Sequence, residues 1–129
     1  MSQPNTNLPL SGVNIVELHA IGPVPFAGML ARNLGANVTR VSPPSDPGLG
    51  VQTSNERDLL NFGKTQVYFD LKSPAGQAEL HKLLANADVM LEGFRPGVLE
   101  RLGLAPETLY KQYPKLVIGR LSGWGTKGE

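Results

Sequence analysis

The sequence predicts an α/β fold in which a parallel β-sheet carries helices on its faces. Short apolar runs of strand length alternate with segments whose apolar residues recur at helical spacing. Strands joined through a helix lie parallel, because the crossover returns the chain to the same end of the sheet. The 129 residues contain no linker long enough to divide them, so we expect one domain or part of a larger one.

The first strand–helix–strand unit is predicted near the start of the chain. An apolar strand over residues 13–18 is followed by a stiff turn over residues 22–25, and Pro25 suits the first position of a helix. This helix is predicted over residues 26–34 and the second strand over residues 37–41. The helix prediction rests on apolar residues at helical spacing, which are Phe26, Met29, Leu30 and Leu34.

The alternation of elements continues after an irregular loop. Residues 43–50 hold three prolines and two glycines, which indicates a loop on the surface. Ser73 and Pro74 are the residue types of a helix N-cap and of the first helical position. The remaining predicted elements are strands over residues 66–71, 89–92 and 116–119 and helices over residues 98–102 and 106–113.

The predicted sheet looks incomplete. The last strand leads directly into a Gly-Trp-Gly loop at residues 123–125, and no helix follows it to cover the next part of the sheet. Parallel sheets normally have both faces covered. We therefore expect the N-terminal part of a larger domain, with an exposed edge at the final strand.

Composition excludes several classes of function. The net charge of +1 does not favour a nucleic-acid partner, and the absence of cysteine removes disulfides and thiolate chemistry. The two histidines, His19 and His81, are far apart and lack a ligand pattern, so no metal site is expected. No apolar run reaches membrane-spanning length.

The first nine residues have the composition of a disordered leader. Residues 1–9 are polar, uncharged and rich in Asn and Pro, and they lack the features of a secretory signal or a mitochondrial transit segment. We expect a soluble, cytoplasmic protein, with a mitochondrial or peroxisomal location as the alternative in a eukaryote.

One turn is the strongest local indication of a binding site. The apolar strand over residues 89–92 breaks into Gly93-Phe94-Arg95-Pro96-Gly97. Open α/β folds bind ligands at the carboxyl ends of their strands, where such a turn presents a cation. The alternative is a solvated arginine at the end of a strand.

Several motifs together resemble CoA-transferase family III, the CaiB/BaiF family, which includes α-methylacyl-CoA racemase. The resemblance extends from Leu10 to Gly125 in order. Its main motifs are Val16-Glu17-Leu18, Gly22-Pro23 with Pro25-Phe26-Ala27, Leu34-Gly35-Ala36-Asn37-Val38, Gly63-Lys64, Asp70-Leu71-Lys72-Ser73-Pro74, Glu92-Gly93-Phe94-Arg95-Pro96-Gly97, Arg101-Leu102-Gly103-Leu104 and Arg120-Leu121-Ser122-Gly123-Trp124-Gly125.

The resemblance implies a Rossmann-like large domain that binds CoA, of which residues 10–129 are the N-terminal part. It implies an enzyme that acts on acyl-CoA thioesters as an interlocked homodimer, with the CoA thioester as substrate and no other cofactor. The closest motifs are those of the racemases, which exchange the α-proton of 2-methylacyl-CoA. A family III acyl-CoA:carboxylate CoA transferase and a non-catalytic CoA-binding or dimerisation module are the alternatives.

The resemblance also assigns roles to individual residues. Arg40, Lys64 and Arg95 match cations that contact CoA, and guanidinium groups suit phosphate because they bind it in a bidentate manner. The turn at Gly22 and Pro23 could offer backbone amides to the ligand. The family's catalytic His and Asp lie downstream of residue 129, so we expect no catalytic residue in this chain and no activity from it alone.

His19 is a departure from the family pattern. The equivalent position is more often small or aliphatic, and it is not where the catalytic histidine of the family falls. We therefore expect His19 to be structural.

Overall fold

The computed structural model describes residues 7–45, 47–48, 50–51 and 53–127. The strands are β1 (Asn14–Leu18), β2 (Asn37–Ser42), β3 (Thr65–Tyr68), β4 (Val89–Glu92) and β5 (Val117–Arg120). The helices are α1 (Pro23–Asn33), α2 (Pro74–Leu84), α3 (Val98–Arg101) and α4 (Pro106–Gln112), with one 3₁₀ turn at Asn55–Arg57. Of the predicted leader over residues 1–9, residues 1–6 lie outside the described part of the chain.

The strands form one parallel sheet in the order β3-β2-β1-β4-β5. This is the strand order of a Rossmann sheet up to its fifth strand. The order reverses between β1 and β4, because β1 is followed in the chain by β2 on one side and pairs with β4 on the other. The predicted α/β class with a parallel, Rossmann-like sheet is confirmed.

The first helix begins three residues earlier than the sequence pattern predicted. Gly22 precedes it with a φ of 72°, and Pro23 occupies its first turn. The two prolines of the supposed turn fit inside the helix, because amides of the first turn have no intrahelical partner to lose. The apolar stripe used to predict α1 is also its outer face: Phe26, Leu30 and Leu34 are 49%, 46% and 45% exposed.

The main core lies between one face of the sheet and helices α2, α3 and α4. Val16, Leu18 and Met90 of the central strands are buried there. The Ser73 side chain accepts a hydrogen bond from the Gly76 amide at 3.0 Å, so the predicted N-cap of α2 is confirmed. The helical residues of this core are Leu80, Leu84, Leu99 and Leu109.

The opposite face is covered only in part. Ile15 and Val38 are buried there together with Ala36, close to α1. Val117 of β5, which faces the same side at the edge of the sheet, is 61% exposed. Within the described ranges, none of the helices is long and apolar enough to cross a membrane.

Candidate functional site

An open cleft of about 510 Å³ lies at the carboxyl ends of β1, β4 and β5. It sits where the strand order reverses, the place at which open α/β sheets bind their ligands. The loops that follow these three strands supply its walls. The lining residues are Ile21, Pro23, Val24, Gly93, Phe94, Arg95, Pro96, Leu121, Ser122, Gly123, Trp124 and Gly125.

The turn after β4 is held from below by a buried carboxylate. Glu92 is 2% exposed, and its Oε2 accepts a hydrogen bond from the Phe94 amide at 2.9 Å. Arg120 at the end of β5 donates from Nε to Glu92 Oε1 at 2.6 Å and contacts Glu100 of α3 at 2.8 Å. Hydrogen bonding to these two carboxylates raises the pKa of Arg120, so it remains charged. The two loops on either side of the cleft are thereby tied together.

Arg95 is exposed on the rim of this cleft, as the sequence predicted for a cation at a strand end. Among the described residues, its guanidinium makes no hydrogen bond or ion pair, whereas Arg120 of β5 makes both. Gly93 allows the turn to approach α1, because a Cβ at this position would lie 2.7 Å from Val24 Cγ2. The turn that carries Arg95 is therefore closely packed, while the Arg95 side chain is left open to a ligand.

Pro23 lines the same cleft at the start of α1, next to Gly22. Fewer backbone amides can donate to a ligand there than the turn at Gly22 and Pro23 suggested. Both Pro23 and Pro25 lack an amide hydrogen, so only Val24 among the first three helical residues can donate. Ligand binding by the turn at Gly22 and Pro23 stays a prediction.

Arg40 lies under α1 rather than in the cleft. Its Nη2 donates to His19 Nδ1 at 2.9 Å, and its Nη1 lies 3.5 Å from Gln66 Oε1. Its Nε lies 3.7 Å from Glu17 Oε1, and the Arg40 side chain is 14% exposed. The guanidinium is thus near the carboxyl edge of β2, where a small part of it reaches the surface.

Lys64 is buried. Its Nζ lies 2.8 Å from Glu17 Oε2 and donates to the Pro25 carbonyl at 2.9 Å and to Asn61 Oδ1 at 3.2 Å. Neither the Lys64 nor the Glu17 side chain is exposed. Burial lowers the pKa of Lys64 and raises that of Glu17, and the attraction between the two charges opposes both changes. For Lys64 to meet a phosphate, as the resemblance implies, it would first have to leave this pair.

Gly28 in α1 makes the ion pair possible. A Cβ at this position would overlap Glu17 Oε2 and lie 3.0 Å from Lys64 Nζ. The helix can therefore sit directly on the pair only with glycine at this position. Lys64 of the Gly63-Lys64 motif thus forms an ion pair in the described chain, and its predicted contact with CoA stays a prediction.

The structure thus divides the predicted site residues into two groups. Arg95 and Pro23 line the cleft, with Gly22 adjoining it, whereas Arg40 and Lys64 meet through Glu17 beneath α1. The sequence did indicate that Glu17 is unusual, because Glu17 is a charged residue inside an otherwise apolar strand.

A second cleft, which the sequence did not indicate, is lined in part by residues of the motifs at 70–74 and 101–104. Lys72 and Arg101 line this cleft of about 380 Å³ near the start of α2. Gln77 on its wall donates to the Leu71 and Leu102 carbonyls at 2.6 and 2.9 Å, which fixes the two segments together. The described residues contain no group of three or more His, Cys, Asp or Glu that could hold a metal ion.

The chain from residue 10 to residue 129 matches the family model described as CoA-transferase family III. The chain belongs to this family. It is 40% identical to human α-methylacyl-CoA racemase over 119 residues. This alignment covers 92% of this chain and 29% of the relative. It is also 37% identical to cinnamoyl-CoA:phenyllactate CoA-transferase of Clostridium sporogenes over 135 residues. This second alignment covers 96% of this chain and 32% of the relative.

Solved structures agree with the family assignment. The crystal structure of Rv3272 from Mycobacterium tuberculosis superposes with a TM-score of 0.81 at 31% identity and covers 95% of this chain and 35% of that one. The family III chain therefore spans about a third of the length of the relatives it matches.

Proposed function

We propose that residues 10–129 are the N-terminal, CoA-binding portion of an α-methylacyl-CoA racemase-like enzyme. The observation that carries the proposal is the cleft at the strand-order reversal, with the guanidinium of Arg95 on its rim and open to a ligand. The resemblance of the whole region to a racemase and to CoA transferases supports acyl-CoA as the ligand class.

The chemistry of the cleft suits part of a CoA thioester. Its walls are mainly apolar, with Phe94, Leu121 and Trp124 among them, and Trp124 is 99% exposed. Apolar walls with a few placed polar groups are typical of small-molecule sites. We propose that Arg95 contacts phosphate while the walls take apolar parts of the ligand.

The cations under α1 and near α2 extend this proposed site. Arg40 reaches the same carboxyl edge of the sheet, and Lys72 and Arg101 line the second cleft. CoA carries a phosphate at the 3′ position and a diphosphate at the 5′ position of its ribose, so more than one cation can contact it. Lys64 contributes indirectly in this proposal, because it lies 2.8 Å from Glu17, closer than Arg40 at 3.7 Å, and so reduces how far Glu17 neutralises Arg40.

Racemase activity is the finer part of the proposal. Proton exchange at the α-carbon needs a general acid and a general base within hydrogen-bonding reach of the substrate. Arg95 is the sole titratable residue among the described residues that line the main cleft, and arginine stays protonated. We therefore propose that this segment binds the thioester and that residues outside it move the proton. An acyl-CoA:carboxylate CoA transferase is the second candidate, favoured by the similar identity to the Clostridium enzyme.

The expected assembly and location are also proposals. An interlocked homodimer would give the half-exposed face of α1 a surface to pack against. A cytoplasmic location fits an enzyme of CoA thioesters with no membrane partner.

A CoA titration tests the proposed site. We expect Arg95→Ala to weaken CoA binding by about fivefold, since an exposed ion pair contributes up to about 1 kcal/mol. Lys111→Ala is the matched control, because this exposed lysine lies in the last turn of α4 and does not line the cleft. Isothermal titration calorimetry of the three proteins measures the difference. Equal affinities for all three would show that the cleft is not the phosphate site.

A further inference from the structure

The contact between His19 and Arg40 fixes the protonation state of the imidazole. A guanidinium group only donates hydrogen bonds, so Nδ1 of His19 must accept the one from Arg40 Nη2 at 2.9 Å. The neutral imidazole carries its single proton on Nε2 in that case. His19 as a whole is half-buried, whereas its Nε2 atom is buried.

This contact is the shortest of those that orient Arg40. The Gln66 oxygen lies at 3.5 Å, and the nearer Glu17 oxygen lies at 3.7 Å from Nε. Glu17 is in addition occupied by Lys64 at 2.8 Å. The direction of the guanidinium therefore depends first on His19.

We propose that His19 is a positioning residue that aims Arg40 at an anionic ligand on the carboxyl edge of the sheet and releases it when the imidazole is protonated. Protonation places a hydrogen on Nδ1, so that two positively charged donors face each other at the distance of the present hydrogen bond. The contact must then break, and Arg40 loses its shortest contact. This inference rests on the proposed phosphate contact of Arg40.

The surrounding groups do not replace the lost acceptor. Ser42 Oγ of β2 lies 3.4 Å from His19 Nδ1 and carries no charge. The charged groups of the cluster are Glu17 on β1, Arg40 on β2 and Lys64 before β3, with Asp58 acting on Glu17 and Lys64 from the preceding loop. Glu17 already shares its charge between two cations, so it cannot hold Arg40 alone in the same orientation.

A comparison of four proteins at two pH values tests the inference. CoA is titrated at pH 8 and pH 5.5 into the wild-type chain and into the variants His19→Asn, His19→Ala and Arg40→Ala. In His19→Asn, the amide oxygen of the new side chain can take the place of Nδ1 but cannot be protonated. We expect H19N to bind like wild type at pH 8 and to lose less affinity than wild type at pH 5.5. We expect H19A to bind roughly two- to fivefold more weakly than wild type at pH 8, the range of an exposed ion pair.

The four proteins distinguish a failure of the proposed phosphate contact of Arg40 from a failure of the proposed role of His19. If R40A binds CoA as tightly as wild type, the proposed phosphate contact is wrong. If R40A is weakened but H19N shows the full pH dependence of wild type, the role of His19 is wrong. The titration of the CoA phosphates is common to all four proteins and cancels in the comparison.

A measurement on the unbound wild-type chain tests the inference without any variant. Nitrogen-15 NMR of the imidazole at pH 8 is expected to find the proton of His19 on Nε2. A proton on Nδ1 would overturn the inference, whatever the fold of the variants.

Discussion

At the scale of single residues, the buried pair of Glu17 and Lys64 is a contact that the sequence did not reveal. Two opposite charges are buried side by side under α1, and each has lost its hydration. A buried ion pair repays that loss only through close contact and additional hydrogen bonds. The Pro25 carbonyl and the Asn61 amide oxygen provide such bonds to Lys64.

Removing one member of this pair should cost far more than removing both. We expect Lys64→Met to lower the free energy of unfolding by about 3–5 kcal/mol, because it leaves the buried Glu17 carboxylate with only the more distant Arg40, at 3.7 Å, as a cation. The double variant E17Q/K64M replaces the ions with neutral groups of similar size and should recover most of that loss. Urea unfolding of the three proteins measures the difference. A double variant no more stable than K64M would contradict this account of the pair.

The same pair predicts an unusual pH dependence of stability. Burial raises the pKa of Glu17 above its ordinary value of 4.5, so the folded chain keeps this proton where the unfolded chain has released it. The contribution of Glu17 to stability is therefore present below pH 4.5 and is lost as the pH rises through the raised value. We expect the unfolding free energy of wild type, minus that of E17Q/K64M, to fall from pH 4.5 to pH 7. A difference that rises over this range would indicate that Lys64 lowers the pKa of Glu17 instead.

At the scale of elements, the ends of β4 and β5 are joined by Arg120. It bridges Glu92 on β4 and Glu100 on α3, and its hydrogen bond holds the pKa of Glu100 below the ordinary range. The turn that carries Arg95 begins at the next residue after Glu92. The position of that turn therefore depends on a strand that lies far ahead in the sequence.

Arg120→Met should destabilise the chain and loosen this turn. We expect a loss of about 1–3 kcal/mol, the cost of leaving the buried Glu92 carboxylate without its charged partner. Lys82→Met breaks an exposed i,i+3 pair with Glu79 and should cost less than about 0.5 kcal/mol. Urea unfolding compares the two variants. Equal losses in the free energy of unfolding would mean that burial of Glu92 does not increase the contribution of its ion pair to stability.

At the scale of the whole molecule, both edges of the sheet are open in the described chain. Tyr68 on β3 and Val117 on β5 are 64% and 61% exposed, and these strands are the two ends of the strand order. Exposed edges with apolar side chains pair readily with other chains. The relatives are about three times as long, and in them further chain is present that could cover such edges.

We expect the 129-residue chain to self-associate through β5. Val117→Lys should shift it strongly towards monomer, because a charge on an edge strand opposes pairing with another strand. Tyr110→Lys is the matched control: it adds the same charge at an exposed apolar residue, 44% exposed on α4. Sedimentation velocity at several concentrations measures the association. Self-association unaffected by V117K, or equally reduced by Y110K, would exclude the β5 edge as the contact.

More of the fold than of the candidate site could be predicted from the sequence. Strand β4 and the N-cap of α2 follow from local patterns, and those patterns act over a few residues only. The apolar stripe of α1 was misleading about its contacts, because in an open sheet an apolar residue can also face outwards. Arg95 could be placed on the cleft because its turn follows a strand directly.

Lys64 could not be placed in the same way. Its position depends on Glu17, 47 residues earlier in the chain, and on a glycine in the helix between them. Nothing in the local sequence around Lys64 distinguishes a lysine that meets solvent from one that meets a buried carboxylate. Long-range ion pairs of this kind require the tertiary structure.

The close fit of Gly28 against Glu17 also has a consequence for how this family diverges. Any side chain at position 28 would overlap the Glu17 carboxylate, and without that carboxylate the buried Lys64 would lose its charged partner. We therefore expect a single substitution at one of the three positions to destabilise the fold unless the others also change. Across many descendants of a common ancestor, glycine at 28, glutamate at 17 and lysine at 64 should be inherited together or replaced together.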